Sequence, residues 1–371
     1  MNIVIIATHL SPTEGWGTET LTSVRGLRAR GHRVETLVQT KYDGDACPQY
    51  AALPEPLALL RSPLALWKTA KAIRRQIAKQ KPDIVHIMTE PYALALPLVG
   101  RTPPLCLTAN GTYALLPLAS RLPAHLMRRA YRRAAHIFAI SRYTERRLTE
   151  ELERRDRHLA EHVQTKISAW TLGVEWPSGL PARQARKEKN ILFVGGVKPR
   201  KGVREVVEAC AAFRRISSLP FHLHIIGSAP ENRYINSLRS RIGELRLTEQ
   251  VTIHGQVSDA VLQQAYADAD LFMMLSISEG FHFEGYGLVF LEANIRGVPG
   301  IGPREAGCAD AISEGRSGYL VDPKDPAMVA ERMKWVLEKE RIDPEQCKQW
   351  VREHSIERQA RELENAYARI L

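Results

Sequence analysis

Short, nearly continuous apolar runs alternate along the chain with longer stretches whose apolar residues recur every three or four positions. The runs at 2–7, 33–39, 83–88, 104–109 and 136–140 read as strands buried on both faces, and the stretches between them as helices packed on those faces. The series resumes at 190–196, 221–227, 251–256 and 271–275. Repeated strand–helix alternation predicts parallel sheets with ligands at the C-terminal ends of the strands. The pattern also predicts boundaries: a first domain over 1–176, a linker over 177–189 rich in proline and charge, and a second domain over 190–343. A final helix over 344–371 is expected to cross back to the first domain. A chain of 371 residues is long for one core, which agrees with two.

Composition narrows this α/β reading only a little. No run of about eighteen apolar residues is present, so no membrane-spanning helix is expected, and the start Met-Asn-Ile-Val-Ile-Ile-Ala reads as a first strand and not as a signal peptide. The scattered Cys47, Cys106, Cys210, Cys308 and Cys347 lack CxxC spacing and suggest free buried thiols in a reducing cytoplasm. The net charge of +11 fits an anionic membrane, a polyanionic substrate or nucleic acid. Much of it lies in two acid-free amphipathic helices, 63–81 and 121–133, of the kind that lies on anionic headgroups. Simple packing of these helices on the sheet, with a solvated basic face, is the competing reading. No aromatic RNA-binding motif appears, so no nucleic acid is expected as partner.

Candidate chemistry concentrates in Glu284-Gly-Tyr-Gly-Leu-Val-Phe-Leu-Glu292. Gly285 and Gly287 precede a helix predicted to open at Leu288 and to end at Gly297-Val-Pro299. A glycine loop running into a helix start suits a phosphate, but two flanking carboxylates would repel one. Carboxylates that bind hydroxyls at either end of a diphosphate resolve the conflict, and a nucleoside diphosphate sugar has that order. The turn Gly195-Gly-Val-Lys-Pro-Arg-Lys-Gly202 places Lys198, Arg200 and Lys201 beside glycines between a strand and a helix, a phosphate clamp without the Walker pattern. In the first loop, Gly15 and Gly17 do not continue into G-x-G-x-x-G because Thr20 holds the third position, which disfavours a nicotinamide dehydrogenase. Asp268-Ala-Asp270 reads as a helix-to-strand junction with no metal, and His222 and His224 as lining one strand face.

These residues, and the strand order over nearly the whole chain, resemble the E-x7-E family of retaining GT-B glycosyltransferases known as GT4. The resemblance implies two Rossmann-like domains facing across a cleft, a GDP- or UDP-sugar as donor substrate with no other cofactor, and a glycan or lipid-linked acceptor in cell-envelope polysaccharide or glycolipid synthesis. It implies that Glu292 binds ribose, that Glu284 binds the transferred sugar, and that Lys201, with Arg200 or Lys198, holds the diphosphate with N–H groups near Gly287 and Leu288. The arginine usual in that turn is replaced by Gly196. Gly15 and Gly17 would approach the diphosphate and the acceptor. Asn110 stands where the family often carries histidine; it can hydrogen-bond a sugar but cannot carry a proton. The localisation implied is cytoplasmic, with peripheral binding to the membrane's inner face through the basic helices. The motif fits a sugar-nucleotide epimerase of the same architecture less well, and a non-catalytic nucleic-acid-binding protein least.

Overall fold

The computed structural model describes all residues except 13, 14, 45, 178 and 185, so part of the first loop and of the linker lies outside the described residues. The chain forms two compact units, residues 1–175 with 354–371, and residues 176–353. The first is built on a parallel sheet of β1 (Asn2–Ile6), β2 (Arg33–Val38), β3 (Gln49–Ala51), β4 (Ile84–Ile87), β5 (Leu105–Ala109), β6 (His136–Ala139) and β7 (Ile167–Ala169), in the order β3-β2-β1-β4-β5-β6-β7. Ile3, Val4, Ile5 and Ile6 are fully buried, as a strand covered by helices on both faces requires. Around it lie α1 (Gly15–Ala29), α2 (Pro63–Gln80), α3 (Thr112–Leu115), α4 (Arg121–Arg133), α5 (Arg142–Arg155), α6 (Arg157–Gln164) and a 3₁₀ segment, Glu90–Leu98. Ser62 and Ser141 cap α2 and α5, accepting from the N–H groups of Ala65 and Thr144. Strand β3 is too short and polar to be recognised from pattern.

The second unit repeats the plan with β8 (Lys189–Val194), β9 (Phe221–Ile226), β10 (Val251–Gly255), β11 (Leu271–Met273), β12 (Gly300–Pro303) and β13 (Gly318–Val321), in the order β10-β9-β8-β11-β12-β13. Its helices are α7 (Val203–Ile216), α8 (Arg233–Glu244), α9 (Asp259–Asp268), α10 (Leu288–Asn294), α11 (Pro326–Leu337) and α12 (Pro344–Arg352). In each unit the strand order reverses once, between β1 and β4 and between β8 and β11. Such a reversal opens a crevice at the strand ends where ligands bind.

Two expectations need correcting. The first helix starts at Gly15, so Gly15 and Gly17 are helical residues and not loop residues. Glycine is a poor helix former, but a Cβ on Gly17 would lie 2.8 Å from the His9 ring and from Ser11 Cβ, so close packing outweighs propensity there. The C-terminal helix is two helices. Ser355 starts α13 (Ile356–Ile370) by accepting from Arg358 N–H, and α13 belongs to the first unit while α12 belongs to the second. Helix α13 docks on α1 at Gly26, where a Cβ would lie 2.7 Å from Ala360 Cβ. It is held there by Tyr367, whose hydroxyl meets the fully buried His86 Nδ1 at 2.6 Å, and by Gln359, which donates to Ser23.

Candidate functional site

The turn after β8 is shaped by glycine. Lys198 precedes a single 3₁₀ turn, Pro199–Lys201, that ends at Gly202 with φ +70°. A Cβ on Gly202 would lie 1.8 Å from Leu275 O, so no other residue fits. Arg200 O accepts from Ile277 N–H at 2.9 Å, which fastens this turn to the segment following β11. This bond joins the segments that follow β8 and β11, the two strands flanking the strand-order reversal, with Arg200 and Lys201 on the first of them. Lys198 is exposed, and its Cε would lie 3.6 Å from a Cβ on Gly196. Its aliphatic stem thus runs past the position where the resembled family carries arginine.

The E-x7-E segment meets this turn. Lys201 Nζ donates to Glu284 Oε2, and Arg200 Nη1 lies 3.6 Å from the same oxygen. All three side chains are partly buried. Gly287, at φ +80°, forms the N-cap of α10, which opens at Leu288 as the pattern predicts. Beneath the loop, Gly307 N–H donates to Glu284 O at 2.8 Å, and a Cβ on Gly307 would lie 1.8 Å from Gly285 O. Gly285 and Gly307 therefore set how deep the loop carrying Glu284 can sit. Glu292, on α10, accepts from Tyr266 Oη at 2.7 Å, and Arg296 Nη1 donates to its backbone carbonyl. Burial raises the Glu292 pKa, while the Tyr266 hydroxyl and Arg296 oppose the rise. The structure thus brings Glu284, Lys201 and Arg200 together, with Glu292 eight residues on, on the far side of the glycine loop.

Asn110 belongs to the first unit, directly after β5. Its backbone N–H donates to Glu90 Oε1, and its Nδ2 donates to Met88 O at 2.6 Å and Glu90 Oε2 at 3.1 Å. Glu90 and Glu19 are buried, at 2% and 3% exposure. Burial pushes the Glu90 carboxyl up to about 7, and burial together with the Glu90 charge raises Glu19 well above the ordinary range. Sequence reasoning passed over both. The signal available was a carboxylate in Met88-Thr-Glu-Pro91, at the end of a strand and inside an otherwise apolar segment.

Asp268 and Asp270 stand at the α9–β11 junction as expected, but with a use not foreseen. Asp268 Oδ1 accepts from Gln184 N–H, and Asp270 Oδ2 accepts from Asn190 N–H, both at 2.8 Å. Arg183 and Lys189 pair with Asp270. The two carboxylates tie down the segment leading into β8. His222 and His224 share a strand face with Thr252 and His254, and His224 Nδ1 lies 3.0 Å from His254 Nε2. Among the described residues no group of three or more His, Cys, Asp or Glu is arranged to hold a metal ion, and no helix is long and apolar enough to cross a membrane.

Residues 15–159 match the family described as Glycosyltransferase Family 4, and residues 181–354 the family described as Glycosyl transferases group 1. The chain belongs to the GT4-type glycosyltransferases. It is similar to a D-inositol 3-phosphate glycosyltransferase of Acidothermus cellulolyticus, 26% identical over 88% of this chain and 81% of that one. It is also similar to a GDP-mannose-dependent alpha-(1-6)-phosphatidylinositol monomannoside mannosyltransferase of Mycobacterium tuberculosis, 32% identical over 40% of this chain. The matched stretch spans 38% of that relative, and 30% of a Pseudarthrobacter chlorophenolicus D-inositol 3-phosphate glycosyltransferase. Among solved structures, Anabaena HepE in complex with UDP has a TM-score of 0.74 at 14% identity, with 100% of both chains covered. The fold is GT-B, with one parallel α/β sheet in each unit.

Proposed function

We propose that this chain transfers a hexose, with retention of configuration, from a nucleoside diphosphate sugar to a glycan or lipid-linked acceptor. The observation that carries the reading is the convergence of Lys201 and Arg200 on Glu284 at the strand-order reversal of the second unit. Two cations there can take up the charge that develops on the leaving diphosphate, so no metal ion is required for that task. Glu284, once Lys201 turns to phosphate, is released to accept hydroxyls of the sugar. Glu292 accepts the ribose hydroxyls, and Tyr266 holds its carboxylate in place. Lys198, lying over Gly196, supplies part of the charge of the absent arginine, as a point charge and not a fork. The named donor of the M. tuberculosis relative favours GDP-mannose, and the UDP bound to HepE favours a UDP-sugar. A thermal-shift panel of UDP, GDP, ADP and their sugars in EDTA, on wild type and Glu292→Ala, separates these donors. Stabilisation by one nucleotide, lost in the variant, supports the reading; no stabilisation by any of them refutes it.

A lipid-linked acceptor on an anionic membrane is favoured by one further observation. Helices α2 and α4 and the 3₁₀ turn Pro56–Leu60 all pack on the same segment, Glu90–Leu98. The exposed Leu57, Leu64, Trp67, Leu98 and Leu122 lie on these four elements. A groove of about 650 Å³ along α2 is lined by Tyr50, Trp67, Lys68, Lys71 and Arg75. Exposed apolar side chains among lysines and arginines suit the headgroup region. Co-sedimentation with vesicles rich in anionic lipid, against neutral ones, decides this point. Equal binding to both, or none, sinks it.

A further inference from the structure

The buried polar cluster of the first unit has a direction built into it. The Asn110 side-chain amide has two hydrogens, and they go to Met88 O and Glu90 Oε2. A carbonyl oxygen only accepts, and so does an ionised carboxylate, so the NH₂ group must face them and the amide cannot be flipped. Glu90 Oε1 takes the backbone N–H of the same residue, which fixes the main chain as well as the side chain. Asn110 Oδ1 is thereby left buried without a hydrogen-bond partner. What sets this acceptor apart is its place at a strand end beside the strand-order reversal, where ligands of α/β sheets bind. Asn110 follows β5, Glu90 follows β4, and Glu19 comes from α1, which follows β1, so the cluster lies at the strand-order reversal of this unit. Glu19 adds a second unpartnered buried oxygen, Oε1.

We infer that Glu90 is a positioning residue: by clamping both N–H groups of Asn110 it holds Asn110 Oδ1 as a fixed acceptor for one hydroxyl of a glycosyl substrate at the strand ends of this unit. The inference rests on the glycosyltransferase reading. It assigns Glu90 no contact with substrate, only control of the group that has one. Protonation of Glu90 weakens the clamp, because a carboxylic acid accepts less strongly and its O–H oxygen meets an N–H poorly. The ionisable groups that feel the Glu90 charge are Glu19 on α1 and Tyr131 on α4, whose hydroxyl donates to Ala114 O. Both have their acids pushed up, so each favours its neutral form beside an ionised Glu90.

The test uses the full chain labelled with ¹⁵N-asparagine, in wild type, Glu90→Gln and Asn110→Asp. The Asn110→Asp variant identifies the Asn110 side-chain amide resonance by its loss. In wild type that resonance should move with pH around 7, and in Glu90→Gln it should not. With the donor that stabilises the protein, Glu90→Gln should lose roughly 10- to 100-fold in kcat, the scale of a misplaced active-site group. Its affinity for the free nucleoside diphosphate, which the proposed function assigns to Glu292 and Lys201, should be unchanged. A resonance indifferent to pH 5–9, or a Glu90→Gln variant with wild-type kcat, overturns the inference. Equal losses in kcat and in nucleotide affinity overturn it too, because they signal general structural damage. Wild type inert with every donor refutes the function proposed above, and the assignment of a sugar hydroxyl to Asn110 falls with it, while the resonance still decides the Glu90–Asn110 coupling.

Discussion

Lys201 Nζ donates to Glu284 Oε2, so the cation proposed to hold a diphosphate is paired with the carboxylate proposed to hold a sugar. The pair keeps two partly buried charges neutralised within one site, with side-chain exposures of 18% and 14%. A phosphate bound by Lys201, as proposed, would compete with Glu284 for it. Under the proposed function, donor binding is an exchange of partners, in which a sugar hydroxyl takes the place of the ammonium on Glu284.

Lys201→Ala should therefore do two things at once. It should remove charge from the leaving group, lowering kcat/KM by about 10²–10³-fold. It should also leave Glu284 facing Arg200 alone, 3.6 Å away. Steady-state kinetics on Lys201→Ala and Arg200→Ala check this. The arginine variant should lose less, and equal losses would contradict the ranking.

Glu292 and Tyr266 should act as a unit toward the nucleotide. Glu292→Ala should weaken nucleoside diphosphate binding by about 1.5–3 kcal/mol, the range for hydrogen bonds to a charged group. Tyr266→Phe keeps the carboxylate but removes the hydroxyl that orients it, and should cost about 1 kcal/mol. Isothermal titration of each variant and of the double variant measures the coupling. Strictly additive losses would show that the hydroxyl does not act through Glu292.

Gly307→Ala tests the depth of the Glu284 loop without touching a binding group. Its Cβ would lie 1.8 Å from Gly285 O, so the 284–287 segment must move outward. Donor affinity should fall by about tenfold or more while the protein still folds, as circular dichroism would report. An unchanged affinity would mean that the loop position is not set by this contact.

Glu90 should leave a mark on stability as a function of pH. Its folded pKa is raised to about 7, above the ordinary carboxylate value of 4.5. Between these values the folded protein holds a proton that the unfolded chain has released, so stability falls as pH rises through this window and levels off above it. The drop is of the order of 3 kcal/mol if Glu90 acts alone. His86 works in the opposite sense. Burial lowers its pKa to about 3, so its contribution is present above the unfolded value near 6.5 and is lost as pH falls toward 3. Comparing Glu90→Gln with wild type cancels the His86 part. Relative to the variant, wild type should lose stability from pH 5 to pH 8 in urea titrations; a constant difference would contradict the shift.

The α/β class, the doubled strand–helix series and the helix opening at Leu288 were all legible in the sequence, for a physical reason. Buried parallel strands must be apolar on both faces, and helix starts and ends need particular residues, so pattern and punctuation carry these features locally. The motif residues Glu284, Lys201 and Glu292 could be named for the same reason, since glycine loops before helices have a chemistry of their own. What the sequence could not supply was pairing across distance. Nothing local says that Lys201 reaches Glu284 or that Asp268 and Asp270 hold Gln184 and Asn190. Nor does it tell that helix α1 keeps glycine at 17 because His9 and Ser11 leave no room for a Cβ. Glu19 looks like an ordinary surface acid in a one-dimensional reading, and Glu90 shows only its apolar surroundings. Only the fold, by burying them near each other and setting Glu90 against Asn110, makes their ionisation costly and gives the amide its direction. Desolvation and charge coupling depend on three-dimensional neighbours, and those neighbours were decided by the tertiary structure alone.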